Sequence, residues 1–161
     1  MHPKRTTAVL LFVLVVTLTS FAQKKTHKAT SAAAGTGVTK DYLQKIWSGW
    51  AALDPANQAQ YYAKGPHVFF DIAPLKYNSW EEYQTGVAKE LGDYKAAKFV
   101  VNDDAEIHHA GDIEWVTATI ASDMTRKSGK RDVGSFRWTA VFQKQEGKWL
   151  IIHEHVSAPI Q

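Results

Sequence analysis

Two acids in this sequence sit among residues unlike themselves. Asp71 closes the run Phe69-Phe70-Asp71-Ile72. A carboxylate ringed by phenylalanine holds its proton more tightly, which suits it to take a proton from a carbon next to a carbonyl. The same Asp can do no chemistry and simply cap the following turn. Glu154 lies in a β-rich stretch, at alternate positions with Leu150, Ile152 and Val156, so it is an acid in an apolar row. Burial without a partner would cost it several kcal/mol or raise its proton affinity. A tyrosine, a polar ligand or, at a strand edge, water would relieve it.

Tyr83 and Trp80 are one helical turn apart and share a face. Asp71 as base, with Tyr83 or Glu154 assisting, is the candidate catalytic set. Phe70, Trp80, Tyr83 and Trp138 are the candidate aromatic wall of a pocket, with Tyr62 and Glu154 as further ligand contacts; core packing explains the same aromatics equally well. His153 and His155 lie two apart on one strand face, with His108 and His109 on a neighbouring strand. Their spacing matches no metal motif, so these histidines are expected to be hydrogen-bonded at an interface, and no metal or other cofactor is expected. Arg137, on the same face, would anchor a carboxylate across a dimer or cover Trp149. There is no Gly-x-Ser-x-Gly elbow, and Lys127-Ser128-Gly129-Lys130 lacks the rest of a phosphate loop.

The elements that must position these residues follow from periodicity. Thr39 caps a helix over residues 40–53, in which Tyr42, Leu43, Ile46, Trp47, Trp50 and Leu53 form one stripe. Asp54 caps a second helix that opens at Pro55 and runs to about Ala63. Residues 67–71 are a short strand. Ser79 with Glu82 is a capping box for a third helix, 80–91, which Gly92 closes. Residues 97–109, 113–127, 131–144 and 149–157 then alternate as four strands joined by Gly-bearing turns. Helices before a strand meander predict an α+β fold. One face of the meander carries Val116, Ala118 and Ile120, then Phe136, Trp138, Ala140 and Phe142, then Leu150, Ile152, Glu154 and Val156. That face should pack on the helices. The opposite face, with Trp115, Arg137, Trp149, Ile151, His153 and His155, suits a sheet-to-sheet dimer contact.

The N-terminus reads separately. Lys4 and Arg5 precede an apolar run over residues 8–18, and Ser20-Phe21-Ala22 offers a peptidase site. Residues 1–22 therefore read as a secretory signal cleaved after Ala22, too short to span a bilayer comfortably. Residues 23–37, rich in Lys, Thr, Ser, Ala and Gly, read as a flexible linker to a domain over 38–159. An exported protein, periplasmic or extracellular, is expected. The chain has 161 residues and no cysteine, so disulfides and a lipid anchor at the cleavage site are excluded. The formal charge is +3, and loss of Lys4 and Arg5 leaves +1. Much of the remaining positive charge sits in the linker, so the domain offers no basic surface for nucleic acid.

The order of elements and the ending Gly147-Lys148-Trp149 through Pro159 resemble the nuclear transport factor 2-like superfamily, and within it the SnoaL-like and ketosteroid-isomerase-like domains. The last strand is also similar to the association domain of calcium/calmodulin-dependent protein kinase II. The resemblance covers residues 38–159. It implies a cone-shaped curved antiparallel sheet closed by three N-terminal helices, a pocket inside the cone and a homodimer through the outer sheet surface. It implies a general-base position at Asp71 and a pocket position at Tyr83. The tyrosine and second acid of ketosteroid isomerases fall at Gly49 and Thr139, which cannot serve, although Tyr42, Tyr62 or Tyr83 could substitute. The association domain's pocket arginines fall at Ile120, Ala140 and Val156, so a more hydrophobic pocket is expected. The reading that follows is a binder of a small, mostly apolar molecule. An isomerase, dehydratase or cyclase using Asp71 and a purely structural dimerisation module stand beside it.

Overall fold

The structure, a computed structural model, describes residues 37–160. The expected signal segment, and all of the linker but Gly37, lie outside the described residues. Helix α1 is Lys40–Trp50, and the Thr39 hydroxyl accepts the Tyr42 amide at 3.2 Å. Leu43, Ile46, Trp47 and Trp50 are its buried stripe. Helix α2 is Trp80–Leu91. Ser79 accepts the Glu82 amide at 3.3 Å, and the Glu82 carboxylate reaches back to the Asn78 amide at 2.8 Å, one residue before the cap.

The helix expected over 55–63 is one 3-10 turn, Pro55–Gln58, so the described residues hold two α-helices rather than three. The reason is competition for the backbone. Tyr61 O accepts the Ile151 amide at 2.8 Å and the Ala63 amide donates to Ile151 O at 2.9 Å, so the chain runs extended beside the last strand.

Strand β1 is Phe69–Phe70, β2 Tyr94–Val101, β3 Glu106–Ala110, β4 Ile113–Arg126, β5 Arg131–Gln145 and β6 Lys148–Ser157. They form one curved sheet in the order β1-β6-β5-β4-β2, with β3 also paired to β4. The single strand expected over 97–109 is thus two strands sharing one edge of β4: β3 takes its first half and β2 its second. The break falls at Asn102-Asp103-Asp104, where the Asp104 carboxylate accepts the Thr119 amide at 3.0 Å and hydroxyl at 2.7 Å.

The face expected to pack inward does so in β4 and β5: Val116, Ile120, Ala140 and Phe142 have no exposed surface, and Trp138 has 1%. In β6 the expectation fails for half the strand. Val141 pairs with His153, but Phe142 pairs with Ile151, so Ile152 is an extra, unpaired residue. This bulge flips the alternation. Trp149 and Ile151, expected outside, are buried with Glu154 and Val156, while Leu150 and Ile152 are only partly buried.

Candidate active or binding site

The sheet, α1 and α2 enclose a cavity of about 600 Å³. Its apolar wall is Trp47 and Trp50 from α1, Val87 from α2, Phe99 from β2, Met124 from β4 and Phe136 from β5, and charged side chains of α2, β4 and β5 line the rest. Its floor is formed by the buried Tyr83 and Glu154, with Asp71 beside them. Ile72 and Val133, both exposed, stand at the mouth.

Glu154 is 2% exposed and both its oxygens are held. The Tyr62 hydroxyl donates to Oε1 at 2.8 Å and the Trp138 indole to Oε2 at 2.9 Å. Burial nevertheless pushes its carboxyl up to about 7, against donors that favour the ionised form; the charge of Asp71 adds to the rise. Asp71 lies immediately after β1, half-buried, and its Oδ1 accepts the Ile72 amide at 2.7 Å. Burial raises it to about 6, opposed by the Ile72 amide and the Tyr83 hydroxyl, with Glu90 adding to the rise. The Tyr83 phenol lines the same floor and favours the ionised form of both acids. Burial and those two charges hold its proton well above the ordinary phenol range. The cluster is two acids raised toward neutrality beside a neutral phenol, an arrangement able to accept or donate a proton near pH 7.

The sequence-predicted residues separate into three groups. Asp71, Tyr83 and Glu154 meet at the floor. Tyr62 and Trp138 stand behind the floor as the donors to Glu154, and Trp80 stacks on Tyr62 with centroids 4.3 Å apart, also behind the wall. Phe70 is not on the wall. Strand residues alternate, and it is Phe69 that faces inward, fully buried and stacked on Tyr83 at 5.3 Å. Phe70 instead meets the rings of His153 and His155 at 5.5 and 5.7 Å. Trp47, Trp50, Phe99 and Met124 are wall residues absent from the predicted site. The stripe of α1 was legible, but as core. The Trp47 indole N–H is buried without a hydrogen-bond partner among the described residues.

On the outer sheet face Trp115 is 38% exposed and stacks on His108 at 5.0 Å. His153 Nδ1 lies 2.7 Å from Val68 O, and the Arg137 guanidinium donates to Ala158 O at 3.0 Å. Arg137 does not cover Trp149; Lys144 does, at 5.8 Å. Among the described residues no three His, Cys, Asp or Glu side chains gather as a metal site.

Solved structures share this architecture. The candidate calcium/calmodulin-dependent protein kinase II association domain from Xanthomonas campestris is 26% identical, with a TM-score of 0.65 over 74% of this chain and 84% of that one. A nuclear transport factor 2-like superfamily protein from Salmonella enterica is 17% identical, with a TM-score of 0.66 over 76% and 92%. A candidate dehydratase of the same family from Streptomyces avermitilis is 14% identical, with a TM-score of 0.64 over 76% and 95%. None of the curated proteins matches. The SnoaL-like domain family matches residues 40–161, from the first residue of α1 to the end of the chain. Three-quarters of the chain, with every element that shapes the cavity, falls in that match, and the protein belongs to the SnoaL-like domain family.

Proposed function

We propose that this is an exported protein that binds a small, mostly apolar molecule in the cavity. The observation that carries the reading is the cavity: about 600 Å³, with an aromatic wall and polar and charged groups on the rest of its lining. Ligand sites are typically roughly 300–1,000 Å³ and built this way. The open cavity favours a binder over a module whose cone is filled with side chains. Export rests on the sequence of residues 1–22, and an intact mass for the secreted chain that begins at Gln23 is the result expected.

Thermal unfolding in the presence of apolar compounds tests binding, because a ligand of the folded state raises the melting temperature. Gly134→Leu is the matched control. Gly134 pairs with the buried Ser122 and shares its face, and an added Cβ would meet nothing nearer than the Ser122 hydroxyl at 4.0 Å. The leucine therefore enters the cavity, and the variant should fold and lose the ligand-induced shift. Equal shifts in both proteins would place binding elsewhere.

Acid–base catalysis is the second reading, favoured by Asp71 and Glu154 on one lining with the Tyr83 phenol, their carboxyls raised to about 6 and about 7. The dehydratase-described neighbour has the same fold. Solvent deuterium entering a cyclic ketone next to its carbonyl is the signature, and Asp71→Asn should abolish it. No incorporation across a ketone panel ends this reading. A homodimer through the outer sheet face is part of the same proposal.

A further inference from the structure

The cavity has more negative than positive charge, and the two are not evenly placed. Five carboxylates line it: Asp71, Glu90 on α2, Asp93, Asp132 on β5 and Glu154 on β6. Two guanidiniums face them, Arg126 on β4 and Arg131 on β5. Helix α1 brings only Trp47 and Trp50 to the lining, and β2 brings Tyr94 and Phe99. Both guanidiniums are already held. Arg126 Nε donates to Asp132 Oδ2 at 2.6 Å, its Nη1 lies 3.9 Å from Asp93, and the group sits over the Tyr94 ring at 4.7 Å. Arg131 donates to both oxygens of Asp123, at 2.6 and 2.5 Å. Asp71, Glu90 and Glu154 therefore have no cationic partner among the described residues.

We propose that the ligand of this cavity is a monocationic amine on an apolar skeleton, its ammonium seated between Asp71 and Glu154 and against the rings of Trp50 and Tyr83. The inference rests on the cavity being a ligand site and adds the charge of what it takes. Aromatic faces and desolvated carboxylates both stabilise an ammonium. Trp50 and Tyr83 have ring centroids 6.0 Å apart, on the same lining as Asp71 and Glu154. An anionic ligand would meet three uncompensated carboxylates, and a neutral one would leave them as they are. In the empty cavity a proton relieves Asp71 and Glu154, which are raised to about 6 and about 7. An ammonium displaces that proton. Binding thus releases protons, and affinity rises with pH while the amine itself stays charged.

The test uses three probes on one skeleton, phenylbutylamine, phenylbutanol and phenylbutanoate, titrated by calorimetry and by tryptophan fluorescence, to which Trp47 and Trp50 on the lining contribute. At about pH 8 the amine should bind about tenfold or more tighter than the alcohol, with that ratio shrinking toward about pH 5. Between about pH 6 and 7, where the free acids still hold protons, calorimetric enthalpies for the amine should depend on the buffer's ionisation heat. Asp71→Asn and Glu154→Gln should each lower the amine-to-alcohol ratio; Asp71, the less buried of the two, is the variant that decides if the Glu154 substitution fails to fold. An alcohol that binds as tightly as the amine, or a ratio untouched in Asp71→Asn, overturns the charge inference and leaves the cavity as a binding site. No binding by any of the three probes overturns both.

Discussion

Glu154 has to be reconciled with its surroundings, because it is an acid with almost no exposed surface and no cation to pair with among the described residues. Its two donors, Tyr62 and Trp138, are neutral, and they do not offset the loss of water: the carboxyl rises from 4.5 to about 7. The consequence for stability has a definite sign. Below pH 4.5 the group is protonated folded and unfolded alike, and it contributes nothing to pH dependence. Between 4.5 and about 7 the unfolded chain has lost the proton and the folded chain keeps it, so stability falls as pH rises. A rise of that size corresponds to about 3 kcal/mol across the window. Glu154→Gln keeps the shape and removes the titration. Urea unfolding at intervals across this range should show wild-type stability declining relative to the variant by that order. Parallel curves would mean that Glu154 ionises in the fold as freely as in the unfolded chain. Asp71 acts in the same direction over a lower window, 3.8 to about 6.

The elements carrying these residues were legible to different depths. The α1 stripe, the Ser79–Glu82 cap and the alternation in β4 and β5 each leave a periodic or paired mark and formed there, except that α1, expected to reach 53, stops at Trp50 and Leu53 takes a left-handed φ of 59°. The bulge at Ile152 leaves none. Residues 149–152 are Trp-Leu-Ile-Ile, apolar on both faces, so either parity satisfies the hydrophobic pattern, and pairing with β5 decides. The same ambiguity hid Phe69, because a strand of two residues has no period from which to tell it from Phe70. Trp47 and Trp50 were visible as a buried stripe, but a helix presents the same stripe to packed side chains as to a cavity. The acids were legible because a carboxylate among apolar neighbours is costly wherever the strand turns it. Packing of α2 supplies a test at this scale. Gly86 lies under Tyr77, and a Cβ there would come 2.3 Å from the ring and its hydroxyl. Tyr77 in turn sits 5.1 Å from Tyr83 by ring centroids. Gly86→Ala raises helix propensity yet forces the Tyr77 ring aside, so it should destabilise by about 1–3 kcal/mol in denaturant unfolding. A neutral or stabilised variant would show that the 71–79 segment yields freely and does not fix Tyr83.

At the scale of the molecule, the sheet divides the chemistry from the surface. One face builds the cavity. The other aligns His108, Trp115, Val141 and His153 in one row across four strands, with Thr117, Thr139 and His155 in the next and Arg137 beyond. Several groups on this face are already engaged within the chain: His153 with Val68, Arg137 with Ala158 and His108 with Trp115. They make a preordered surface, which lowers the side-chain entropy lost on association. Trp115 is its large aromatic, 38% exposed at the centre strand of that row, and anchors of this type carry a disproportionate share of interface energy. A second copy of the same face can meet it about a two-fold axis, each Trp115 covered by the other chain's row. Light scattering across a concentration series should therefore give the mass of two chains. Trp115→Glu, which leaves the cavity face untouched and places a like charge on both sides of the axis, should give the mass of one, with ligand-induced stabilisation retained. A monomeric wild type at every concentration would remove the dimer, and a Trp115→Glu protein that stays dimeric would move the interface off this row.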